Sequence, residues 1–241
     1  MKDIVLIIPH YGDDSDLRQC KASLKGVDGM DRVKVVVIDN NKNNVGYTKA
    51  VNRGIRENPG MAFYWLLNND TIVQKKTLAE LLRAMKKYPK VGVVASQLLD
   101  MKNQDIIVWG GSKQVIPGIH KSGSVNLGQL QEPTYERWAT FGSVLLRAEM
   151  VHEVGLLDER YFLICSDSDY CFTMRSRGWK VLHWPASKVF HDEQEGVSRA
   201  ANTKRSDKVT KILMDDQRKF ADKWMNGRLF MELESEVDTP A

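Results

Sequence analysis

Three short runs rich in β-branched and aromatic residues each end in a polar cluster. Ile4-Val5-Leu6-Ile7-Ile8 leads into Pro9-His10-Tyr11-Gly12, residues 33–38 lead into Asp39-Asn40-Asn41, and residues 63–67 lead into Asn68-Asn69-Asp70. Apolar residues at successive positions call for burial on both faces, which is the environment of a parallel strand. Helical spacing separates the runs, over 14–24, 46–56 and 77–88, and Leu78, Leu81, Leu82 and Met85 share one face of the last. A fourth run, 91–95, follows. Strand and helix in alternation predict an α/β fold, with a mostly parallel central sheet flanked by helices. Such sheets bind ligands outside the carboxyl ends of their strands, and the polar clusters fall there.

Residues 100–137 change character, with Gly110, Gly111, Gly118, Gly123 and Gly128 among Ser, Lys and Gln. Short strands and loops are expected there. Regular structure resumes as a strand over 141–146, helices over 148–154 and 168–177, and a strand over 180–184. A polar helix is expected at 205–226, ahead of an acidic tail that frays. We divide the chain into one domain at 1–198, with a first, ligand-binding half at 1–99 and a second half at 100–198, and a C-terminal helix and tail at 199–241. Cys20, Cys165 and Cys171 are too few and too scattered for a disulfide framework, and they form no C-x-x-C pair, so a reducing, cytoplasmic setting is expected. No apolar stretch is long enough to cross a bilayer, which leaves peripheral membrane contact open. The net charge of +4 favours anionic ligands but lacks the density of a nucleic-acid binder, so no nucleic-acid partner is expected.

The chemistry resides in the clusters. Asp70, at the end of a buried strand beside Asn68 and Asn69, can hold a hard divalent cation through oxygen. Asp39 with Asn40 and Asn41 can hydrogen-bond a nucleobase and ribose, although Asn and Asp also simply favour turns. The segment 44–54 brings Gly46, Lys49 and Asn52 near a helix start, which suits a phosphate or sugar, yet it is neither a P-loop nor a dinucleotide fingerprint. Asp167 falls at a helix start where free amides favour an ionised carboxylate, and such a group can take a hydroxyl proton. Ser166 and Asp169 have the spacing of a capping box. His191 can complete a metal shell begun by Asp70. Trp109 and Asp169 are the acceptor-side candidates.

In this order and spacing the segments resemble family 2 of the inverting glycosyltransferases, with the A-type nucleotide-diphospho-sugar transferase fold. The flavour is that of rhamnosyltransferase-like members. The resemblance runs from Ile4 to about Ser198. It is carried by Ile8-Pro9-His10-Tyr11, Val37-Ile38-Asp39-Asn40-Asn41, Asn44-Val45-Gly46 through Gly54, Leu67-Asn68-Asn69-Asp70-Thr71 and Gly142-Ser143. Further marks are Val154-Gly155-Leu156-Leu157-Asp158-Glu159-Arg160-Tyr161-Phe162, Asp167-x-Asp169, Arg175, Gly178-Trp179 and His191. It implies a UDP- or dTDP-sugar donor, Mn²⁺ or Mg²⁺ as cofactor, and a glycan or lipid-linked hydroxyl acceptor. Pro9, His10 and Tyr11 would line the nucleotide, Asp39 would meet its base or ribose, Asp70 would end the metal-binding Asp-x-Asp motif, and His191 would join it. Asp167 would be the base. Two positions depart from the pattern. Asn68 replaces the first acid of Asp-x-Asp, and Ser166 replaces the Glu that commonly precedes the base, which leaves Asp169 as a second candidate for that role.

Two rivals compete. A nucleotidylyltransferase would want a Gly-rich basic loop after the first strand, where this chain is acidic at Asp13 and Asp14. A non-catalytic nucleotide-sugar or glycan-binding module would fit Asn68 and Ser166. Mixed charges over 199–228, including Asp207, Asp215, Asp216 and Asp222, read as a solvated helix face or a homodimer contact.

Overall fold

The first apolar run forms β1 (Ile4–His10), every residue of which is buried. A computed structural model of the chain describes residues 2–111, 125–126, 130–191, 206–225, 227–228 and 232–233. After β1 come α1 (Asp14–Ser23), β2 (Val33–Asp39), α2 (Tyr47–Arg56), β3 (Phe63–Leu67), β4 (Thr71–Val73), α3 (Thr77–Lys87) and β5 (Val91–Asp100). The second half holds β6 (Ile106–Trp109), β7 (Val125–Asn126), β8 (Thr134–Glu136), β9 (Ser143–Arg147), α4 (Ala148–Val154), α5 (Ser166–Arg175), β10 (Lys180–His191) and α6 (Asp207–Phe220). A π-helical turn, Ala221–Met225, extends α6. Gly118, Gly123 and Gly128, Ser198 at the expected boundary, and most of the acidic tail lie outside the described residues.

The strands make one mixed sheet in the order β2-β1-β3-β9-β5-β10-β4, with β6 and β7 built out from β5 and β8 paired to β10. β1 pairs in parallel with β2 and β3, and β5 with β10. β9 interrupts the parallel run, lying antiparallel between β3 and β5, and β4 closes the edge antiparallel to β10. Helices flank the sheet, as the alternation predicted. Gly54 brings α2 onto β1: a Cβ there would stand 2.6 Å from Ile7 Cγ2. The N-terminal strands, the helices and the C-terminal Phe220 and Trp224 share one buried core.

Three strand ends differ from the sequence expectation. β1 continues through Pro9 to His10, because β3 stops pairing at Ile7↔Leu66 and one side of the strand is already open where the proline lacks its N–H. β10 continues past Trp184 to His191, and the register shift between Trp184 and Lys188 absorbs Pro185. β4 went unforeseen, being only three residues inside an apparent turn. It pairs antiparallel with the end of β10, His191 facing Thr71. That pairing carries a histidine from late in the chain to the first carboxylate cluster.

Among the described residues no helix is long and apolar enough to cross a membrane.

Candidate active site

The three polar strand exits are tied together by His10. Its ring is almost wholly buried, with Nε2 2.9 Å from Asp14 Oδ1 and 3.1 Å from the Asn41 amide nitrogen, and Nδ1 3.2 Å from the Asn69 amide nitrogen. Asn41 in turn accepts a hydrogen bond from the Gly12 N–H at 2.9 Å. Asp39 is exposed and accepts from the Asn41 N–H at 2.8 Å, an Asx turn that leaves its second oxygen facing solvent. Tyr11 stands 55% exposed at the mouth, a large apolar surface beside a polar rim, and Lys49 is exposed on the first turn of α2. Pro9 is buried in β1.

The second group gathers around Asp70. His191 Nε2 lies 3.3 Å from Asp70 Oδ1 and 3.4 Å from the Asn68 amide nitrogen. Asp70 Oδ1 is buried, and among the described residues no hydrogen bond of good alignment reaches it. Burial pushes the Asp70 carboxyl up, but attraction to His191 and its own backbone amide outweigh this and hold it below the usual carboxylate range. A buried carboxylate oxygen with no well-aligned hydrogen bond, 3.3 Å from an imidazole nitrogen, suits a bound cation. Among the described residues no three His, Cys, Asp or Glu side chains come together. Among the described residues Asp70 and His191 are the pair that could serve as ligands, and further oxygens would come from a bound diphosphate or water.

The third group centres on Asp167, in the first turn of α5. Its carboxylate accepts the Ser168 N–H at 2.8 Å and is further stabilised by the Phe141 N–H. Burial outweighs these bonds and raises its pKa to about 6. The sequence expectation of a carboxylate kept fully ionised by helix amides thus needs correction. Only a strip of the side chain meets solvent, and desolvation wins. The capping box does not form either. Cys165 occupies the cap with φ 64, the only non-glycine residue with positive φ among those described, and Ser166 already belongs to the helix. Left-handed backbone at a cysteine stores strain two residues before the acid.

The turn before β9 joins the last two groups. The Gly142 carbonyl accepts the Asn68 N–H at 3.0 Å, while Phe141 serves Asp167 with its amide and accepts the Tyr47 hydroxyl at 3.2 Å. Asn68, two residues before Asp70, and Asp167 are therefore both tied to one two-residue stretch. Tyr47, missed in the sequence, is raised in pKa by burial and by the Asp167 charge, so it stays a neutral donor. Its only sequence signal is its place beside Gly46.

Gly46 has φ +86, and a Cβ there would lie 2.5 Å from the Phe162 carbonyl oxygen, a backbone atom fixed by the Tyr47 N–H at 2.7 Å. Gly46→Ala is expected to cost about 2–3 kcal/mol of stability through this clash and the forced φ. Urea unfolding measures it; an unchanged midpoint would mean that residues 162–164 yield freely.

Three candidate roles are corrected. Asn52 is buried and its amide is spent within the chain, on the Leu157 carbonyl at 2.8 Å, the Leu157 N–H at 3.0 Å and Glu159 at 3.0 Å; it clamps a loop rather than facing a donor. Asp169 is buried among Tyr161, Lys223 and Trp224, whose indole donates to it at 2.7 Å, so it faces neither acceptor nor reacting hydroxyl. Trp109 is fully buried with its ring edge-on to His183 at 5.4 Å, a core position. Asp216 is also corrected: it is fully buried, not part of a solvated face.

Comparison with known proteins accords with this geometry. The profile of "Glycosyltransferase like family 2" matches residues 2–208. The chain is 25% identical over 199 residues to the N-acetylglucosaminyl-diphospho-decaprenol L-rhamnosyltransferases of two strains of Mycobacterium tuberculosis, over 72% of this chain and 65% of theirs. It therefore spans less than two thirds of those relatives' length. In fold it is similar to GalNAc-T7 bound to UDP, GalNAc and Mn²⁺, with a TM-score of 0.70 at 14% identity over 93% of this chain and 48% of that one. It is also similar to the mannosyltransferase PcManGT from Pyrobaculum calidifontis in complex with GDP-Man and Mn²⁺, with a TM-score of 0.59 at 13% identity over 81% and 59%. A further likeness is to residues 1–349 of S. aureus TarS, with a TM-score of 0.57 at 12% identity over 92% and 72%. With the profile covering most of the chain, the protein belongs to the glycosyltransferase-like family 2.

Proposed function

We propose that this protein is an inverting glycosyltransferase that moves a sugar from a UDP- or dTDP-linked donor to a hydroxyl on a glycan or lipid-linked acceptor. The observation that carries the reading is the Phe141-Gly142 stretch, which ties the segment ending in Asp70 and the helix start carrying Asp167 to one piece of backbone. A lipid-diphosphate-linked acceptor is supported by the names of the rhamnosyltransferase relatives, and Mn²⁺ by the two transferases bound to it.

The donor's nucleotide lies over the exits of β1 and β2, where Tyr11 offers a ring face and Asp39 a carboxylate oxygen. Lys49 and the amide-rich turn at 44–46 stand near its phosphates. Asp70 and His191, with Asn68 behind them, would hold a divalent cation. Bound there, that ion neutralises the charge that develops on the departing diphosphate. Asp167 takes the proton of the acceptor hydroxyl as the acceptor oxygen bonds to the anomeric carbon from the face opposite the leaving group. The bond to the diphosphate oxygen breaks with that electron pair, and the anomeric configuration inverts. Tyr47 holds the Phe141 peptide that faces Asp167.

Release of nucleoside diphosphate from a nucleotide-sugar panel, with Mn²⁺ present, tests the proposal. Turnover abolished in Asp167→Asn supports it; donor binding without any turnover over the full panel, with acceptors supplied, would favour the binding-module reading.

The pH dependence follows from the raised pKa of Asp167. The base acts as a carboxylate, so kcat/KM is expected to climb about tenfold per pH unit below about pH 6 and to level off above it. A rising limb near pH 4 instead would place the base in water.

A further inference from the structure

We propose that Asp216 is a positioning residue: from α6 it holds residues 160–164 in the one shape that sets both Asp167 and the start of α2. The inference rests on the glycosyl-transfer reading above.

The carboxylate of Asp216 is fully buried and receives three successive backbone N–H groups. Phe162 donates to both oxygens at 3.1 Å, and Leu163 and Ile164 donate to Oδ2 at 2.8 and 3.1 Å. Lys219, one turn on, donates to Asp216 Oδ1 at 3.1 Å and to the Arg160 carbonyl at 2.8 Å. A buried charge persists only where it is paired and fully hydrogen-bonded, and here the loop backbone supplies those bonds. Consecutive N–H groups that point at one anion impose a specific curl on the chain. The same peptides act on both sides of the site. The Phe162 carbonyl, whose N–H goes to Asp216, accepts the Tyr47 N–H that opens α2, and it packs on Gly46. Ile164 leads directly into Cys165, whose φ of 64 turns the chain into the helix start that presents Asp167. One carboxylate on the C-terminal helix thus stabilises a strained turn that neither half of the site could keep alone.

Neither Asp216 nor Lys219 serves the reaction directly in the mechanism above. The sequence carries a signal for this role. Leu213, Asp216, Phe220 and Trp224 repeat on one helical face, so an acid sits in an apolar stripe. Asp169 makes a second tie from the same segment, through Lys223 and Trp224.

The test uses the full chain. Asp216→Asn keeps the size, and its amide oxygen can take the Oδ2 place where the three N–H groups converge, but the charge is lost and the NH2 group in the Oδ1 place cannot accept from Phe162 N–H or Lys219. The expected result is a folded protein whose kcat falls about 100-fold, the cost of a reacting group misplaced by about 1 Å, with donor KM changed only a few-fold. Titration of Asp167, followed by carboxyl-carbon NMR, should move from about 6 toward the ordinary carboxylate range as water reaches it. The ionisable groups facing Asp167 are Tyr47 from α2 and Cys165 and Cys171 from its own segment, and none of them is altered. Wild-type kcat and an unmoved Asp167 titration in folded Asp216→Asn would overturn the proposal. Lys219→Met, at a half-exposed position that tolerates change, provides the second variant should the first not fold. It should give the same two effects at about a tenth of the size, and wild-type behaviour in it overturns the proposal equally. The Asp167 titration requires no turnover, so failure of this inference is read separately from failure of the glycosyl-transfer reading, which wild-type activity decides.

Discussion

Asp167→Asn is expected to lower kcat by about 10³-fold while leaving nucleoside diphosphate affinity within a few-fold of wild type, as befits loss of a general base. Asparagine preserves the shape and can still accept the Ser168 N–H, so the geometry of the first turn of α5 should survive. What disappears is the lone pair basic enough to take a hydroxyl proton. The variant should also be more stable. Wild-type Asp167 has a folded pKa of about 6, above the ordinary carboxylate value, so the folded state holds its proton more tightly than the unfolded chain. That contribution to stability is fully present below the unfolded pKa and lost as pH rises through about 6. Near pH 8 the buried charge costs folding about 1–3 kcal/mol, which the neutral amide removes. Activity and stability therefore move in opposite directions across the same pH window. Steady-state kinetics with urea unfolding at pH 5 and pH 8 checks both. Near-normal turnover would remove Asp167 from the chemistry, and a variant less stable at pH 8 would show that burial is not what perturbs it.

Asp70→Ala is expected to weaken Mn²⁺-dependent donor binding by on the order of 100-fold, with little change in affinity measured under chelator. The argument is one of unsatisfied groups. Asp70 Oδ1 is buried without an aligned hydrogen bond, and among the described residues the imidazole beside it is that of His191, at 3.3 Å. Removal of the carboxylate leaves a single imidazole and the Asn68 amide, too little to retain a hard divalent ion. His191→Ala should give a smaller loss in the same direction, because one oxygen ligand remains. Calorimetric titration of UDP and dTDP, with Mn²⁺ and with chelator, separates the two contributions. Equal affinity with and without Mn²⁺ in the wild type would sink the role assigned to both residues.

The polar strand exits and the strand-helix alternation could be read from the linear chain, and Asp70, Asp167 and His191 could be picked out there as candidates. The reason is local: hydrophobic period reports burial, and polar residues at a strand end report which edge of the sheet faces ligand. Pairing partners were beyond that reach. Nothing in the apolar run at 143–147 distinguishes a parallel from an antiparallel neighbour, so β9 was legible as a strand but not in its direction. Nor could the pattern pass Pro185 or find a three-residue β4, although these two features deliver His191 to Asp70.

Side-chain economy was hidden for the same reason. Asn52 and Asp169 are polar residues in helical segments, and a sequence gives each the same chance of meeting ligand, solvent or backbone; Asp216 stands out as an acid in an apolar stripe, but the stripe does not say which groups it meets. Tertiary structure assigned the first two to loop clamps and the third to three peptide N–H groups. Asp167 shows the division in one residue. Its place at a helix start follows from local sequence, whereas the sign of its pKa shift follows from what the rest of the chain packs around it, because desolvation depends on neighbours that are distant in sequence.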